Sequence, residues 1–314
     1  DRGPMRVAVV TVNYCCAEEI IRNLEPTARQ IASARGFWFI VDNCSPDDSA
    51  RSLRTAIEGV ENVTLIEAGR NGGFGYGNNR VIERVIGGQI DADYVYLLNP
   101  DALPCTGSIA LMASYLDDNA EVGIVGSALV DPDGNPTASM FRFPSLLSEV
   151  ESALAIGPVS RLLARFRTTL PPLSAAGPVD WVSGASMMIR ADVLRSIGGF
   201  DEDFFLYWEE VELCHRVRKS GFEVHGLPEA RVLHIGGVST GVRGQSRLPG
   251  YWHQSRNTYF RKTGARSLLF LNLVTAVSLA VGRCWQWLRG KPGKPPRFLR
   301  DHLKHALTST SINK

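Results

Sequence analysis

The stretch Tyr94-Val95-Tyr96-Leu97-Leu98-Asn99-Pro100-Asp101 decides how this chain is read. Five apolar, β-prone residues in a row describe a strand covered on both faces, and Asn-Pro-Asp ends it. In an open parallel sheet, ligands sit in the crevice beyond the carboxyl ends of the strands, so Asp101 is delivered to such an edge. Farther along, Phe204-Phe205-Leu206-Tyr207-Trp208 runs in the same manner into Glu209-Glu210. One carboxylate suited to a divalent cation and another suited to proton abstraction make a layout for moving a group off a phosphate.

Working outward, Met5–Val12, Phe37–Val41, Asn62–Ile66 and Val122–Val130 read as further strands. Helical spacing covers Glu18–Ala34, with a break expected near Pro26, then Gly77–Ile90, Ala191–Ile197 and Glu209–Ser220. Trp181–Arg190 reads as one regular segment, and Glu223–His225 and Arg231–Ile235 as two short strands. Strands alternating with helices predict an α/β fold with a mostly parallel, doubly wound sheet and helices on both faces. Residues 140–178, rich in Ser, Arg and Pro, read as an irregular insertion. The expected division is a domain over 1–260, with a nucleotide-binding half (1–130) and an acceptor or catalytic half (131–260). A helical, basic extension over 261–314 follows.

The 314 residues are 44% hydrophobic with a net charge of +2, which fits one large α/β domain and argues against a nucleic-acid partner. Cys15, Cys16, Cys44, Cys105, Cys214 and Cys284 show no metal-type spacing and read as free thiols of a reducing cytosol. Asp1-Arg2-Gly3-Pro4 carries no apolar leader, so the expected location is cytoplasmic.

Thr11-Val12-Asn13-Tyr14 and Asp42-Asn43-Cys44-Ser45 lie at strand exits, where they face a ligand or simply shape turns. Asn71-Gly72-Gly73-Phe74-Gly75-Tyr76-Gly77-Asn78-Asn79 lets backbone approach a ligand closely. A dinucleotide fingerprint competes for these glycines, but they follow the third strand rather than the first. Asp101 is the candidate ligand of Mg²⁺ or Mn²⁺, which take oxygen ligands and keep waters. Glu210, Leu213 and Val217 share a helix face, so burial is expected to raise the Glu210 pKa into the range of a general base. Glu209 is base, cap or dipole partner. His234, at a strand end before Ile235-Gly236-Gly237, is a structural histidine or a metal or phosphate contact.

In this order, VVTVNY (9–14), IVDNCSPDDS (40–49), NGGFGYGNN (71–79), LLNPDA (97–102), WVSGASMMIR (181–190), GGFDEDFFLYWEEVELCHRVRKSG (198–221) and VLHIGG (232–237) resemble the family 2 inverting glycosyltransferases of the GT-A fold, nearest their rhamnosyltransferase-like branch. The resemblance implies that Thr11, Asn13, Tyr14, Asp42, Asn43, Gly73, Asn79 and Asn99 surround the nucleotide, with Asp42 near the base. It implies that Asp101 holds Mg²⁺ or Mn²⁺ on the diphosphate together with His234, and that Glu210 is the base. Trp181, Ser183, Gly184 and Ala185 would line the sugar pocket, and Arg256-Asn257 would meet phosphate or acceptor. The implied donor is dTDP-L-rhamnose or a UDP-sugar. The implied acceptor is a saccharide or polyprenyl-linked sugar of bacterial surface polysaccharide. Three departures stand out: Asn99 where relatives carry Asp, Glu210 where they carry Asp, and Cys15-Cys16 after the first strand. They leave open a non-catalytic nucleotide-sugar-binding or assembly module.

Leu268–Val281 is apolar but marked by Asn272, Thr275 and Ser278. Arg261, Lys262 and Arg266 precede it, and Arg283, Trp285, Trp287, Arg289, Lys291 and Lys294 follow. That pattern suits a helix at a membrane surface. It equally suits one packed on the core or in a homodimer interface.

Overall fold

The computed structural model describes residues 6–236, 247–264, 267–290 and 297–308. Met5, Gly237, Arg266, Lys291 and Lys294 lie outside the described residues. The strands are β1 (Val7–Asn13), β2 (Gly36–Asp42), β3 (Val63–Glu67), β4 (Tyr94–Leu98), β5 (Ala102–Pro104) and β6 (Val122–Val130). They continue with β7 (Met140–Phe141), β8 (Gly177–Val179), β9 (Trp181–Val182), β10 (Ser186–Arg190) and β11 (Glu223–His234). The helices of the first half are α1 (Ala17–Arg22), α2 (Leu24–Ser33), α3 (Ser49–Ala56), α4 (Phe74–Ile86), α5 (Ser108–Asp118) and α6 (Leu146–Leu154). Those of the second are α7 (Gly157–Leu162), α8 (Ala191–Ile197), α9 (Glu209–Lys219), α10 (Gly250–Lys262), α11 (Leu268–Leu288) and α12 (Arg297–Thr308).

The large sheet runs β3-β2-β1-β4-β10-β6-β11-β5, with β8 added on β11, and β7 and β9 form a separate pair. β1, β2, β3 and β4 are parallel, as are β6 and β11. β10 enters antiparallel between β4 and β6, and β5 and β8 are also antiparallel to β11. Six of the nine strands (β1 to β4, β6 and β11) therefore run in one direction, so the sheet is mostly parallel as expected, with β10, β5 and β8 reversed. All five residues of β10 are buried, so its composition matches that of any central strand whatever its direction.

Three smaller differences have local causes. The break in the first helical run falls at Asn23, not Pro26. Pro26 sits in the first turn of α2, where a missing N–H costs nothing. Glu223–His225 and Arg231–Ile235 join into one strand whose register shifts between Leu227 and Arg231, around Pro228. Proline removes a ladder donor there, and the bulge absorbs it. Residues 140–178 are more regular than expected, for they hold α6, whose start is closed by a capping box between Ser145 and Ser148.

One sheet face packs Val9, Trp38, Tyr96 and Met188 against α2 and α5. The other packs Val10, Val41, Leu97 and Met187 with Val81, Leu194 and Leu213 of α4, α8 and α9. A third cluster, Phe204, Val211, Tyr259, Phe260 and Leu271, fastens α10 and α11 beside α9. The carboxyl ends of β1, β2 and β4 and the start of α9 thereby meet on one side.

Candidate active site

β4 ends in Asn99-Pro100-Asp101, held by the Asn99 amide donating to the Ala185 carbonyl at 3.0 Å. β5 then pairs with β11 so that Ala102 stands opposite His234. That register brings His234 Nε2 to 3.3 Å from Asp101 Oδ1 and 3.4 Å from Asn99 Nδ2. Asp101 is 1% exposed, yet neither carboxylate oxygen has a hydrogen-bond partner. Burial opposes its ionisation, but the adjacent imidazole outweighs this and holds the carboxyl below its ordinary pKa. An orphaned, buried, anionic carboxylate beside a ring nitrogen fits a divalent cation. Among the described residues no cluster of three or more His, Cys, Asp or Glu could hold a metal. An ion held there would thus draw its other ligands from phosphate oxygens and water, as Mg²⁺ and Mn²⁺ do.

The second carboxylate site is built by strain. Tyr207 (φ 67°) and Trp208 (φ 73°) are consecutive non-glycine residues in the left-handed region. Each such residue costs about 1–3 kcal/mol and persists only when its surroundings over-determine it. Here Trp208 is wedged among Trp252, Tyr259 and Phe260, with ring centroids 5.4–5.9 Å away. The reversal turns Glu209 and Glu210 into the first turn of α9, and each keeps one buried carboxylate oxygen without a partner. Burial, then the neighbouring Glu210 charge, pushes the Glu209 carboxyl well above the usual range. Burial pushes Glu210 to about 7.

This raised pKa predicts a stability effect. The unfolded Glu210 ionises near 4.5 and the folded one near 7, so its contribution is fully present below 4.5 and lost as pH rises through 7. Glu210→Gln removes the cost of a buried charge, and the variant should be more stable than the parent by about 3 kcal/mol at pH 8. At pH 4 the difference should vanish, and thermal melts of both proteins across that range measure it.

A cavity of about 640 Å³ is lined by residues of both groups. That falls within the roughly 300–1,000 Å³ typical of small-molecule sites. Glu209, Glu210, His234 and Asn99 open on it, as do Tyr14, Asn43, Gly73, Ser183, Gly184 and Ala185. Asp101, in contact with His234, does not itself line the cavity. Phe205, Tyr207 and Tyr251 form an aromatic side, Tyr207 stacking on Tyr251 at 6.2 Å. Phe205 and Tyr207 sit in a run read from sequence only as a carrier for Glu209-Glu210, and nothing in the sequence around Tyr251 marks it.

Other residues expected at the site lie outside this cavity. Along β1 alternation turns Val12 and Tyr14 inward to the cavity and Thr11 and Asn13 away. Thr11 accepts from Trp38 Nε1 at 2.9 Å, and Asn13 donates to Asp42 at 2.7 Å. Asp42 also accepts from the Ser45 hydroxyl and amide, and is 3% exposed. Asn79 clamps Phe200, donating to its carbonyl and accepting from its amide. Trp181 stacks on Phe141 at 4.0 Å in the small sheet. Arg256 is buried, paired with Glu149 and bonded to Asn257, Asn272 and Thr275. Asn257 donates to the His305 carbonyl. These two tie helices together instead of meeting the cavity.

Gly73 has a specific task. Its φ is +92°, and a Cβ there would fall 1.7 Å from the Phe205 carbonyl oxygen. That oxygen accepts from the Phe74 amide at 3.0 Å, pinning the loop before Glu209 to the start of α4. Gly73→Ala must therefore push the loop away, costing about 3 kcal/mol in stability. The expected outcome in a urea titration is a lower midpoint than that of the parent protein.

The family profile described as Glycosyltransferase like family 2 matches residues 4–265. The chain belongs to this glycosyltransferase family. The N-acetylglucosaminyl-diphospho-decaprenol L-rhamnosyltransferase of Mycobacterium tuberculosis is 32% identical over 258 residues, covering 79% of this chain and 81% of that protein. Rhamnosyltransferase WbbL of Escherichia coli is 26% identical, over 52% of this chain and 60% of its own. The mannosyltransferase PcManGT from Pyrobaculum calidifontis, solved in complex with GDP-Man and Mn²⁺, superposes with a TM-score of 0.59 at 16% identity. The match covers 99% of this chain and 83% of that one. The family 2 glycosyltransferase thus has the GT-A fold, with helices α11 and α12 following the residues that the family profile matches.

Proposed function

We propose that this family 2 glycosyltransferase moves L-rhamnose from dTDP-L-rhamnose to a polyprenyl-diphosphate-linked sugar, with inversion at the anomeric carbon. The observation that carries the reading is the shared cavity, lined by Glu209, Glu210, Asn99 and His234, with the buried Asp101 in contact with His234. The names of the Mycobacterium tuberculosis and Escherichia coli relatives support rhamnose, and the former supports a lipid-linked acceptor.

Glu210 takes the proton of the acceptor hydroxyl as that oxygen bonds to the anomeric carbon. The bond from this carbon to the diphosphate oxygen breaks on the opposite face. Glu209, its pKa pushed well above the usual range by burial and by the neighbouring Glu210 charge, offers a hydrogen-bond donor beside the base in its protonated form. Phe205, Tyr207 and Tyr251 give apolar faces for sugar rings and exclude water. Asp101 and His234 would hold Mg²⁺ or Mn²⁺, which when bound offsets charge on the departing diphosphate.

The test is incubation with dTDP-L-rhamnose, and separately with UDP-sugars, plus a polyprenyl-diphosphate-linked N-acetylglucosamine and Mn²⁺. Product anomeric configuration is then read by NMR. Inverted rhamnoside is the expected product. Transfer only from a UDP-sugar would overturn the donor, and a retained configuration would overturn the mechanism. Nucleotide binding without turnover of any donor would favour a binding module.

A further inference from the structure

We infer that α11 is a membrane-docking helix that lies in the plane of an anionic bilayer, with its outer face in the lipid and its inner face in the protein. The polarity of this helix is the reverse of what a solvated surface helix shows. Its polar residues Asn272, Thr275 and Ser278 are buried. Its large apolar residues Leu269, Phe270, Leu273, Val277 and Val281 are exposed, and Trp287 ends the same stripe at 79% exposure. These positions recur at helical spacing, so they form one continuous apolar ridge.

Charge selects the occupant. Residues 261–314 carry eleven Lys and Arg against the single acid Asp301, a net +10, while residues 1–260 carry a net −8. A segment that is apolar along one ridge, strongly basic overall and edged by tryptophan matches an interface rich in anionic lipid headgroups. A second copy of the chain would have to bring two such basic segments together, which like-charge repulsion opposes.

Length alone would allow another arrangement, for the 21 residues of α11 are long and apolar enough to cross a membrane. The inner face argues against crossing. Asn272 and Thr275 accept from the buried guanidinium of Arg256, which is itself paired with Glu149 of α6. His302 of α12 bonds the Asn272 carbonyl at 3.1 Å. A Cβ on Gly282 would fall 2.4 Å from the Leu154 carbonyl oxygen, so α11 is seated tightly on the end of α6. Withdrawing the helix into lipid would strand a buried ion pair and its polar partners.

The inference rests on α11 alone and needs no sugar donor, so its failure and that of the proposed transfer are separable. The full chain is floated with vesicles of phosphatidylcholine alone and with equal parts phosphatidylglycerol, in low and high salt. Binding to the anionic vesicles, weakened by salt, is expected. Leu273→Ser combined with Val277→Ser should lower partitioning about tenfold or more, with melting temperature and nucleotide affinity unchanged. Alkaline carbonate should release the bound protein. Failure of the parent to float, or equal flotation of the double variant, would overturn the inference. So would resistance to carbonate, which would indicate a spanning helix. A change from dimer to monomer on the double substitution, without lipid binding by the parent, would assign the ridge to a second copy.

Discussion

Glu210→Gln should lower kcat by about 10²–10⁴-fold, the usual worth of a positioned general base, while the affinity for nucleoside diphosphate changes less than about twofold. The carboxamide keeps the size of the side chain and so the cavity, but cannot take the acceptor proton. The parent enzyme's kcat should fall on acidification below about 7, where Glu210 becomes protonated, and level off above it. Because Glu209 and Glu210 lie side by side and both resist ionisation, the apparent value belongs to the pair. A pH–rate profile of the parent, set beside single-turnover rates of the variant, measures both effects. Near-parental kcat in the variant would remove Glu210 from the role. Together with its expected gain in stability at pH 8, the variant should display a trade-off in one residue: the charge that the fold resists is the charge the reaction needs.

Asp101→Ala should abolish the part of donor binding that depends on Mn²⁺, a loss of about a hundredfold or more in dTDP affinity measured with the ion present. With chelator, parent and variant should bind alike. Calorimetry in both conditions separates the two contributions. Among the described residues, Asp101 and His234 are the candidate protein ligands here, and Asn99 adds only an amide beside His234. The ion should therefore bind weakly until a diphosphate supplies further oxygens. An equal response to Mn²⁺ in parent and variant would sink the assignment.

Much of this was legible because burial leaves a plain mark on sequence. Tyr94–Leu98, Val122–Val130 and Ala191–Ile197 begin and end where their apolar pattern and stop signals predict. Strand-end logic delivered Asn99 to the crevice, but residues 204–208 are not a strand, and Glu209-Glu210 reach the cavity through the first turn of α9 instead. The reversal of β10 was not legible. Ser186–Arg190 carries no mark of running antiparallel, since a strand buried on both faces looks the same either way. Thr11 and Asn13 were expected around the nucleotide, but period-two alternation on β1 presents Val12 and Tyr14 to the cavity instead. Arg256-Asn257 matched a site position by order along the chain, whereas their partners come from α6, α11 and α12, which no local pattern announces. In α11 the polar stripe was visible, but which side of the helix faced the protein depended on the buried Arg256 that the stripe satisfies.

That guanidinium has an evolutionary implication. Glu149 lies in the inserted segment, Arg256 in α10, which itself runs across residue 260, and Asn272 and Thr275 beyond it, so the apparent boundary at 260 divides a single knot of polar partners. Recombination at that boundary would join a catalytic part to a tail lacking the matching acceptors. The anchor and the reaction centre are therefore expected to have been inherited as one unit, with substitutions at these four positions covarying among close relatives.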